Sequence, residues 1–137
     1  MSQTVIQKLS IVIPCFNEEK TLTQCVHRVL AIADEELDLE LIIVDDASSD
    51  ASLAIARELA GKHPQVTVCH HPVNQGKGAA LRTGFKHATG DYVAVQDADL
   101  EYDPRDLKRL IQPMREGLAD VVFGSRTLRS PQSWQFR

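Results

Sequence analysis

The segment LSIVIPCFNEE, residues 9–19, decides the fold prediction for this chain. Its first part, Leu9–Ile13, is apolar, rich in β-branched residues and followed by Pro14, which is typical of a buried parallel strand. The residues after Pro14 become polar at Asn17–Glu19. Open α/β sheets bind their ligands beyond the carboxyl ends of such strands, so the segment predicts both an element of the core and one wall of a site.

Short apolar runs alternate with helical patterns along the rest of the chain. Further strands are predicted at Leu39–Val44, Val66–Cys69, Tyr92–Val95 and Val121–Phe123. Apolar residues recur at helical spacing between them, from Leu22 to Ala33, from about Asp50 to a stop at Gly61, from about Gly78 to Gly90, and from Asp103-Pro104 to Gly117. This alternation predicts an α/β fold, a three-layer α/β/α sandwich, built as a single domain over residues 1–137.

Bulk properties exclude several classes of protein. The 137 residues are 43% hydrophobic and 25% charged, as in a globular domain, and a net charge of −4 disfavours a nucleic-acid binder. The three cysteines form no CxxC pair, which predicts reduced thiols in the cytoplasm and no zinc site. Because no apolar run is long enough to span a bilayer, any membrane association is expected to be peripheral. The apolar Trp134 and Phe136 close to the end suggest a C-terminally incomplete unit.

Acidic residues follow three of the predicted strands. Glu18 comes after the first, Asp45 and Asp46 after the second, and Asp97 and Asp99 after the fourth. Parallel strand ends share one edge of a sheet, so we expect these acids to form one site rather than separate solvated ends. Two carboxylates about 5 Å apart repel by about 3 kcal/mol at an effective dielectric constant of about 20, which favours a bound cation. Hard oxygen ligands suit Mg²⁺ or Mn²⁺, and Asp97 and Asp99 are the candidate metal ligands.

The segment from Asn74 to Arg82 is rich in glycine and carries the cations Lys77 and Arg82. It lies between a strand and a helix, where backbone N–H groups attract anions. For each cation, phosphate binding and simple solvation are equally open interpretations. The segment is not a P-loop, since His71 stands where glycine is required, and it does not fit the dinucleotide fingerprint of oxidoreductases, since it follows the third strand.

Four motifs in order resemble those of family 2 glycosyltransferases. Residues 10–19 resemble the family's opening strand and its Pro-X-Tyr-Asn-Glu motif, and residues 44–50 resemble its Val-Asp-Asp-X-Ser-X-Asp motif. Residues 74–78 resemble its Asn-X-Gly-Lys-Gly segment, and residues 96–100 resemble its Asp-X-Asp metal motif. Residues 120–126 resemble the Gly-Ser-Arg segment that follows. The similarity spans residues 9–126 and is nearest to dolichyl- or polyprenyl-phosphate sugar synthases. Phe16 stands where the family has tyrosine, which keeps the ring and loses the hydroxyl.

The resemblance implies a fold and a set of site residues. The expected fold is the Rossmann-like GT-A fold of nucleotide-diphospho-sugar transferases, with a mostly parallel sheet made mixed by an antiparallel fifth strand. The implied nucleotide-sugar-binding residues are Pro14, Phe16, Glu18, Asp45, Asp46, Lys77, Asp97 and Ala98. Arg82 and Arg126 are expected near phosphates, and Asp97 and Asp99 are expected to hold Mg²⁺ or Mn²⁺.

By the same resemblance, the chain is expected to be an enzyme that transfers a sugar, with inversion, from a donor of the GDP-mannose or UDP-glucose type. The expected acceptor is a polyprenyl or dolichyl phosphate, at the cytoplasmic face of a membrane. A saccharide acceptor, as in cell-wall or polysaccharide synthesis, and a non-catalytic nucleotide-sugar-binding domain remain open alternatives. A phosphate acceptor is already an anion and needs no general base, and no catalytic residue is assigned.

The histidines and cysteines add no further site. His70 and His71 are adjacent at a strand end, where neighbouring side chains point to opposite sides, so a metal pair is disfavoured and both are predicted to lie at the surface. Cys15 lies beside the expected site, but no base accompanies it in the sequence, which favours a packing role over a nucleophilic one.

Overall fold

The computed structural model describes residues 7–35, 37–100, 103–105, 122–123 and 135–136. Strands and helices alternate in the predicted order up to the fourth strand. The elements are β1 (Gln7–Cys15), α1 (Leu22–Leu30), β2 (Leu37–Asp46), α2 (Ser52–Lys62), β3 (Val66–His71), α3 (Lys77–His87), β4 (Tyr92–Val95), β5 (Val122–Phe123) and β6 (Gln135–Phe136). No helix within these ranges is both long and apolar enough to cross a membrane.

Four strands form one parallel sheet in the order β3-β2-β1-β4. β1 lies inside the sheet, where Leu9 is opposite Leu39 of β2 on one side and Tyr92 of β4 on the other. The predicted α/β class with a parallel sheet is therefore confirmed. The antiparallel pairing expected of a fifth strand occurs between β5 and β6 in a separate two-stranded sheet, so the four-stranded sheet itself is not mixed.

Side-chain alternation along the strands divides the core between the two faces of the sheet. Ile11 and Ile13 of β1 are buried with Val26 of α1 and Leu59 of α2. Val12, between them, is buried in a second cluster with residues of α3. Because successive strand residues point to opposite faces, α1 and α2 cover one face and α3 covers the other. Each such apolar side chain stabilises the fold by about 1.5–3 kcal/mol when it is fully buried.

Three helix ends differ from the sequence prediction. α3 ends at His87 instead of at the predicted Gly90, because the backbone of Ala88 is already extended (φ −69°, ψ 131°). α2 continues through Gly61 to Lys62, so the prediction that Gly61 ends this helix is wrong. The next residue, His63, has extended backbone (φ −126°, ψ 112°) and precedes Pro64. A proline ring disfavours helical backbone at the residue before it, and Pro64 therefore ends α2. α1 ends at Leu30, which leaves Ala33 exposed instead of on the buried face.

The predicted fourth helix, Val121 and most of the C-terminal tail lie outside the described residues. The predicted start of that helix is described. Asp103 accepts a hydrogen bond from the backbone N–H of Arg105 at 2.9 Å, as expected of an N-cap residue that is followed by Pro104 at the first helical position.

Close packing of α3 on β1 depends on Gly84. A Cβ atom added at Gly84 would contact Val12 Cγ1 and lie 2.8 Å from Val12 Cγ2. Real Cβ atoms do not approach other carbons this closely, so α3 or the valine would have to move. The absence of a side chain at Gly84 thus sets how closely α3 packs on β1.

The substitution Gly84→Ala is expected to lower the free energy of unfolding by up to about 2 kcal/mol. Overpacking of the added methyl group against Val12 costs about 1–3 kcal/mol, and the better helix propensity of alanine offsets about 1 kcal/mol of this cost. Urea denaturation followed by circular dichroism measures the difference.

Gly61→Ala is the matched control within α2. A Cβ atom at Gly61 meets nothing within 4 Å, so the same substitution is expected to raise stability by up to about 1 kcal/mol. Stabilisation by both substitutions would contradict the close approach at Gly84.

Candidate functional site

The sheet changes its winding direction between β1 and β4. From β1 the chain proceeds outward to β2 and β3, and it then returns to the other side of β1 to form β4. Open α/β sheets bind ligands at such a switch point, beyond the carboxyl ends of the strands. A cavity of about 280 Å³ lies there, and its lining residues are Pro14, Cys15, Phe16, Glu18, Asp46, Asn74, Gly76, Lys77, Ala80, Asp97, Ala98 and Asp99.

The loops after β1 and β2 are joined by hydrogen bonds between side chains and backbone. The backbone N–H of Asn17 donates to Ser48 Oγ at 2.9 Å, and that of Glu18 donates to Ser52 Oγ at 2.8 Å. In return, the backbone N–H of Ser49 donates to Asn17 Oδ1 at 2.8 Å. These bonds fix the backbone on both sides of Phe16 and Glu18, which line the cavity.

Three residues near the cavity adopt left-handed backbone conformations. They are Asn17 (φ 54°) after β1, Ala47 (φ 59°) after β2 and Leu100 (φ 68°) after β4. Asparagine tolerates this region, whereas for most other residues with a side chain it costs about 1–2 kcal/mol. Such strain persists only where the surroundings fix the backbone, and it concentrates at ligand sites.

The carboxylate of Asp46 holds the glycine-rich segment against the end of β2. Asp46 Oδ1 accepts the backbone N–H of Gln75 at 2.8 Å, and Oδ2 accepts that of Gly76 at 2.8 Å. Asn74 Nδ2 donates to the backbone carbonyl of Asp46 at 3.1 Å. The side chain is almost fully buried. Burial raises the pKa of the Asp46 carboxyl, but its hydrogen bonds with Gln75, His71 and Gly76 outweigh burial and bring the pKa below its ordinary 3.8.

His71 is the site residue that sequence reasoning missed. The prediction that both strand-end histidines lie at the surface is correct for His70 and wrong for His71, which is only 7% exposed. His71 Nδ1 lies 2.9 Å from Asp46 Oδ1, and Nε2 lies 2.8 Å from Thr83 Oγ1. The signal that could have found it is the parallel register, in which His71 stands opposite Asp46.

Asp45 does not share the cavity with Asp46, although the sequence prediction grouped the two. Its side chain is fully buried on the other face of β2, because adjacent strand residues alternate. Asp45 Oδ2 accepts the backbone N–H of Ser48 at 3.2 Å, and Oδ1 has no hydrogen-bond partner among the described residues. Asp45 therefore holds the turn after β2, and it is not among the residues that line the cavity.

Asp97, Ala98 and Asp99 follow β4 after one intervening residue, Gln96, and line the cavity on the side of the switch point opposite β2. Lys77, the first residue of α3, reaches across to them: its Nζ lies 2.7 Å from Asp97 Oδ1. The carboxylates and the ammonium group thus come from separate elements, and the structure brings Asp46, Lys77, Asp97 and Asp99 to one cavity.

The oxygen atoms at the end of β4 fit the chemistry of a divalent cation. Mg²⁺ and similar hard ions are commonly held by one or two carboxylates, with water and substrate phosphates completing the shell. Asp97 and Asp99 supply two carboxylates to one cavity. Across the described ranges, no group of three or more His, Cys, Asp or Glu side chains is arranged to hold a metal ion. Within the described residues, an ion between these carboxylates would complete its coordination shell with water or with oxygen atoms of a bound ligand.

Three further residues considered in the sequence analysis are Arg82, Arg126 and Cys15. Arg82 is exposed on α3 and is not among the residues that line the cavity, and Arg126 lies outside the described residues. Burial raises the pKa of the Cys15 thiol to about 11, despite an opposing hydrogen bond with Ser52. The thiol is therefore neutral near pH 7, in agreement with the predicted packing role.

Comparisons with known sequences agree with this geometry. The family model described as Glycosyl transferase family 2 matches residues 10–137. A dolichol-phosphate mannosyltransferase of Pyrococcus furiosus is 35% identical over 131 residues, and an undecaprenyl-phosphate 4-deoxy-4-formamido-L-arabinose transferase of Sodalis glossinidius is 41% identical over 134 residues. Both alignments cover 94% of this chain, but only 36% of the first relative and 40% of the second. The chain thus spans less than half the length of these relatives.

Solved structures resemble the fold as well. The mannosyltransferase PcManGT from Pyrobaculum calidifontis, in complex with GDP-Man and Mn²⁺, matches with a TM-score of 0.61 and 29% sequence identity. The match covers 70% of this chain and 28% of that one. The expected Rossmann-like GT-A architecture is thereby confirmed.

Replacing Asp46 by asparagine is expected to lower the free energy of unfolding at pH 7 by about 1–3 kcal/mol, because an amide cannot accept all the donors that the buried carboxylate accepts. A carboxyl whose pKa is lowered by folding stabilises the protein above its unfolded pKa, and this stabilisation is lost as the pH falls through the folded pKa. Since the Asp46 pKa lies below 3.8, the wild type should lose this stabilisation below about pH 4. The free energy of unfolding of Asp46→Asn should fall less over the same pH range.

Urea denaturation at pH 7 and at pH 3 measures both effects. Asp38→Asn, an exposed carboxylate of β2, is the matched control and should change stability by less than about 0.5 kcal/mol. Equal stability of Asp46→Asn and the wild type at pH 7 would contradict the role of Asp46 in holding the glycine-rich segment.

Proposed function

Because the chain belongs to glycosyltransferase family 2, we propose that it binds a nucleoside diphosphate sugar at the switch-point cavity and serves an enzyme that transfers the sugar to an acceptor. The observation that carries this proposal is the convergence of Asp46, Lys77, Asp97 and Asp99 on that one cavity. These residues come from three separate segments of the chain: the end of β2, the first turn of α3 and the residues after β4. Such a mixture of carboxylates and a cation suits a ligand that carries both hydroxyl groups and phosphates.

The β1 side of the cavity is suited to the nucleoside. The ring of Phe16 is half exposed beside the cavity and offers an apolar surface to a base or sugar. Glu18 and Asp46 offer carboxylate oxygens to the N–H groups of a base and the hydroxyl groups of a ribose. Three of the roughly four acceptor positions of the Asp46 carboxylate are already used by the protein, which leaves room for one further donor.

The β4 side is suited to the diphosphate. The start of α3 reaches this cavity through Gly76, Lys77 and Ala80, and a helix N-terminus attracts anions. The ammonium group of Lys77 adds a positive charge beside Asp97. Asp97 and Asp99 would hold Mg²⁺ or Mn²⁺ together with the diphosphate oxygens, which is supported by the Mn²⁺ and GDP-Man in the related mannosyltransferase structure. Such an ion, when bound, neutralises the charge that develops on the leaving diphosphate.

The proposed reaction exchanges one bond for another at the anomeric carbon of the donor sugar. An acceptor oxygen forms its bond from one face while the bond to the diphosphate breaks on the opposite face, and the diphosphate leaves with the electron pair. Lys77 orients and stabilises the departing diphosphate, and Phe16 and Glu18 keep the nucleoside in place. Electrostatic stabilisation of this kind is commonly the largest contribution to catalysis.

The proposed acceptor is a polyprenyl or dolichyl phosphate. Two similar proteins bear names that include dolichol phosphate and undecaprenyl phosphate. A phosphate oxygen is already ionised, so this acceptor attacks without a general base. A lipid-linked acceptor also implies work at a membrane surface, for which the cytoplasmic face is the proposed side.

Asp97→Asn and Asp99→Asn are each expected to weaken the Mn²⁺-dependent binding of UDP or GDP by at least about tenfold, because each removes a charged oxygen ligand from the ion. Isothermal titration calorimetry with and without Mn²⁺ measures the affinities. Glu58→Gln, which removes an exposed carboxylate of α2 outside the cavity, is the matched control and should bind like the wild type. Binding that needs no metal and is indifferent to both aspartate substitutions would overturn the proposal.

Transfer distinguishes an enzyme from a binding module. The chain is incubated with GDP-mannose or UDP-glucose, Mn²⁺ and a short polyprenyl phosphate, and the lipid product is detected by mass spectrometry. Transfer to the lipid supports the proposed acceptor, and transfer to an added oligosaccharide instead would favour a saccharide acceptor. Tight donor binding without transfer or donor hydrolysis would favour a nucleotide-sugar-binding module.

A further inference from the structure

His71 is not among the residues that line the cavity, but it joins three elements around it. It is the last residue of β3, its Nδ1 lies 2.9 Å from Asp46 Oδ1 at the end of β2, and its Nε2 lies 2.8 Å from Thr83 Oγ1 of α3. The Asp46 carboxylate, when ionised, can only accept, so Nδ1 carries the proton and donates to it. In the neutral ring Nε2 then accepts the hydroxyl hydrogen of Thr83. The two contacts therefore fix both the orientation and the tautomer of the ring.

The same Asp46 carboxylate binds the start of the cation-bearing helix. It accepts the backbone N–H groups of Gln75 and Gly76, and the next residue is Lys77, whose Nζ lies 2.7 Å from Asp97 Oδ1. A continuous chain of contacts thus runs from Thr83 through His71 and Asp46 to the backbone that carries Lys77. Thr83 lies on the same helix as Lys77, so His71 holds α3 both directly and through Asp46.

Polar contacts are important here because the glycine-rich segment has little apolar anchorage. Asn74, Gln75 and Lys77 are exposed, and Gly76 has no side chain. Gly76 also has φ 93°, a backbone conformation that favours glycine and is held by its N–H bond to Asp46. Loss of the His71 proton donor would leave Asp46 Oδ1 with a single protein partner, the N–H of Gln75. The position of the segment would then be less strictly determined.

We propose that His71 is a positioning residue for the diphosphate of the donor, acting through Asp46 on Gly76 and Lys77. The inference rests on the proposed function, because it assigns Lys77 to the diphosphate. His71 itself touches no ligand. Its effect on the diphosphate must therefore pass through Asp46 and the backbone of Gly76 to Lys77. Dependence on Lys77 separates this role both from general stabilisation of the fold and from an effect on the nucleoside contact of Asp46.

The test uses the whole 137-residue chain and measures UDP and GDP binding by calorimetry in the presence of Mn²⁺. His71→Leu removes both ring nitrogens and should weaken nucleotide binding by about tenfold, the usual scale for losing a residue that orients a ligand-holding group. His71→Asn keeps an N–H donor near the place of Nδ1 and should retain most of the affinity. Thr83→Val removes one anchor of the ring and should give an intermediate loss. His70→Leu, at the exposed neighbouring histidine, is the matched control and should bind like the wild type.

A double-mutant cycle with Lys77→Ala supplies the decisive comparison. If His71 acts through Lys77, adding His71→Leu to the Lys77→Ala variant should weaken binding by much less than the loss of about tenfold expected for His71→Leu alone. Equal loss in both backgrounds would show that His71 acts on the fold or on the nucleoside contact of Asp46 and not through Lys77, and it would overturn the inference. Thermal denaturation verifies that each variant is folded, and if His71→Leu does not fold, the same cycle is made with Thr83→Val.

The outcomes separate this inference from the proposed function. If the wild-type chain binds neither UDP nor GDP with Mn²⁺, the proposed function fails and this inference fails with it. If the wild type binds and His71→Leu and Thr83→Val bind equally well, only the role of His71 is overturned. Nucleotide binding that depends on His71 and not on Lys77 would likewise contradict the proposed path.

Discussion

The parallel pairing of β1 with β2 on one side and with β4 on the other is the constraint on which the site depends. Its hydrogen bonds bring Cys15 level with Asp45 and direct the carboxyl ends of three strands to a single edge. The apolar alternation that covers both faces with helices also fixes which residue of each strand points to which face. A shift of one residue in this pairing would exchange the faces and take Asp46 away from the cavity.

Most of the polar residues in the motifs hold loops, and only some face the cavity. Asn17, Ser48 and Ser52 join the loops after β1 and β2, while Asp46 joins the end of β2 to the start of α3. The left-handed backbone at Ala47 is stable only because such bonds surround it. Bonds within the chain therefore hold the acidic edge of the sheet together, and the ion pair between Lys77 and Asp97 adds to them.

The sequence predicted the layers and the acidic edge well, because strand periodicity and strand-end acids are local signals. It failed where the outcome depends on pairing between distant segments. The same alternation that separates His70 from His71 also separates Asp45 from Asp46, but only the register of β2 with β3 reveals that His71 meets Asp46. One local signal was also misread. Gly61 resembled a helix end, but α2 continues to Lys62, and Pro64 determines where the helix ends.

Side chains that lie far apart in the sequence meet in one cleft, where we propose that an ion and a diphosphate bind together. Nuclear magnetic resonance of the ¹⁵N-labelled chain with Mn²⁺ and UDP or GDP tests this joint binding, since a bound paramagnetic ion broadens the signals of amides near it. We expect broadening that is centred on the amides of residues 76–78 and 97–99 and that depends on the nucleotide. Broadening centred on other acids, such as Glu40 or Asp103, or spread over the surface without regard to nucleotide, would contradict it.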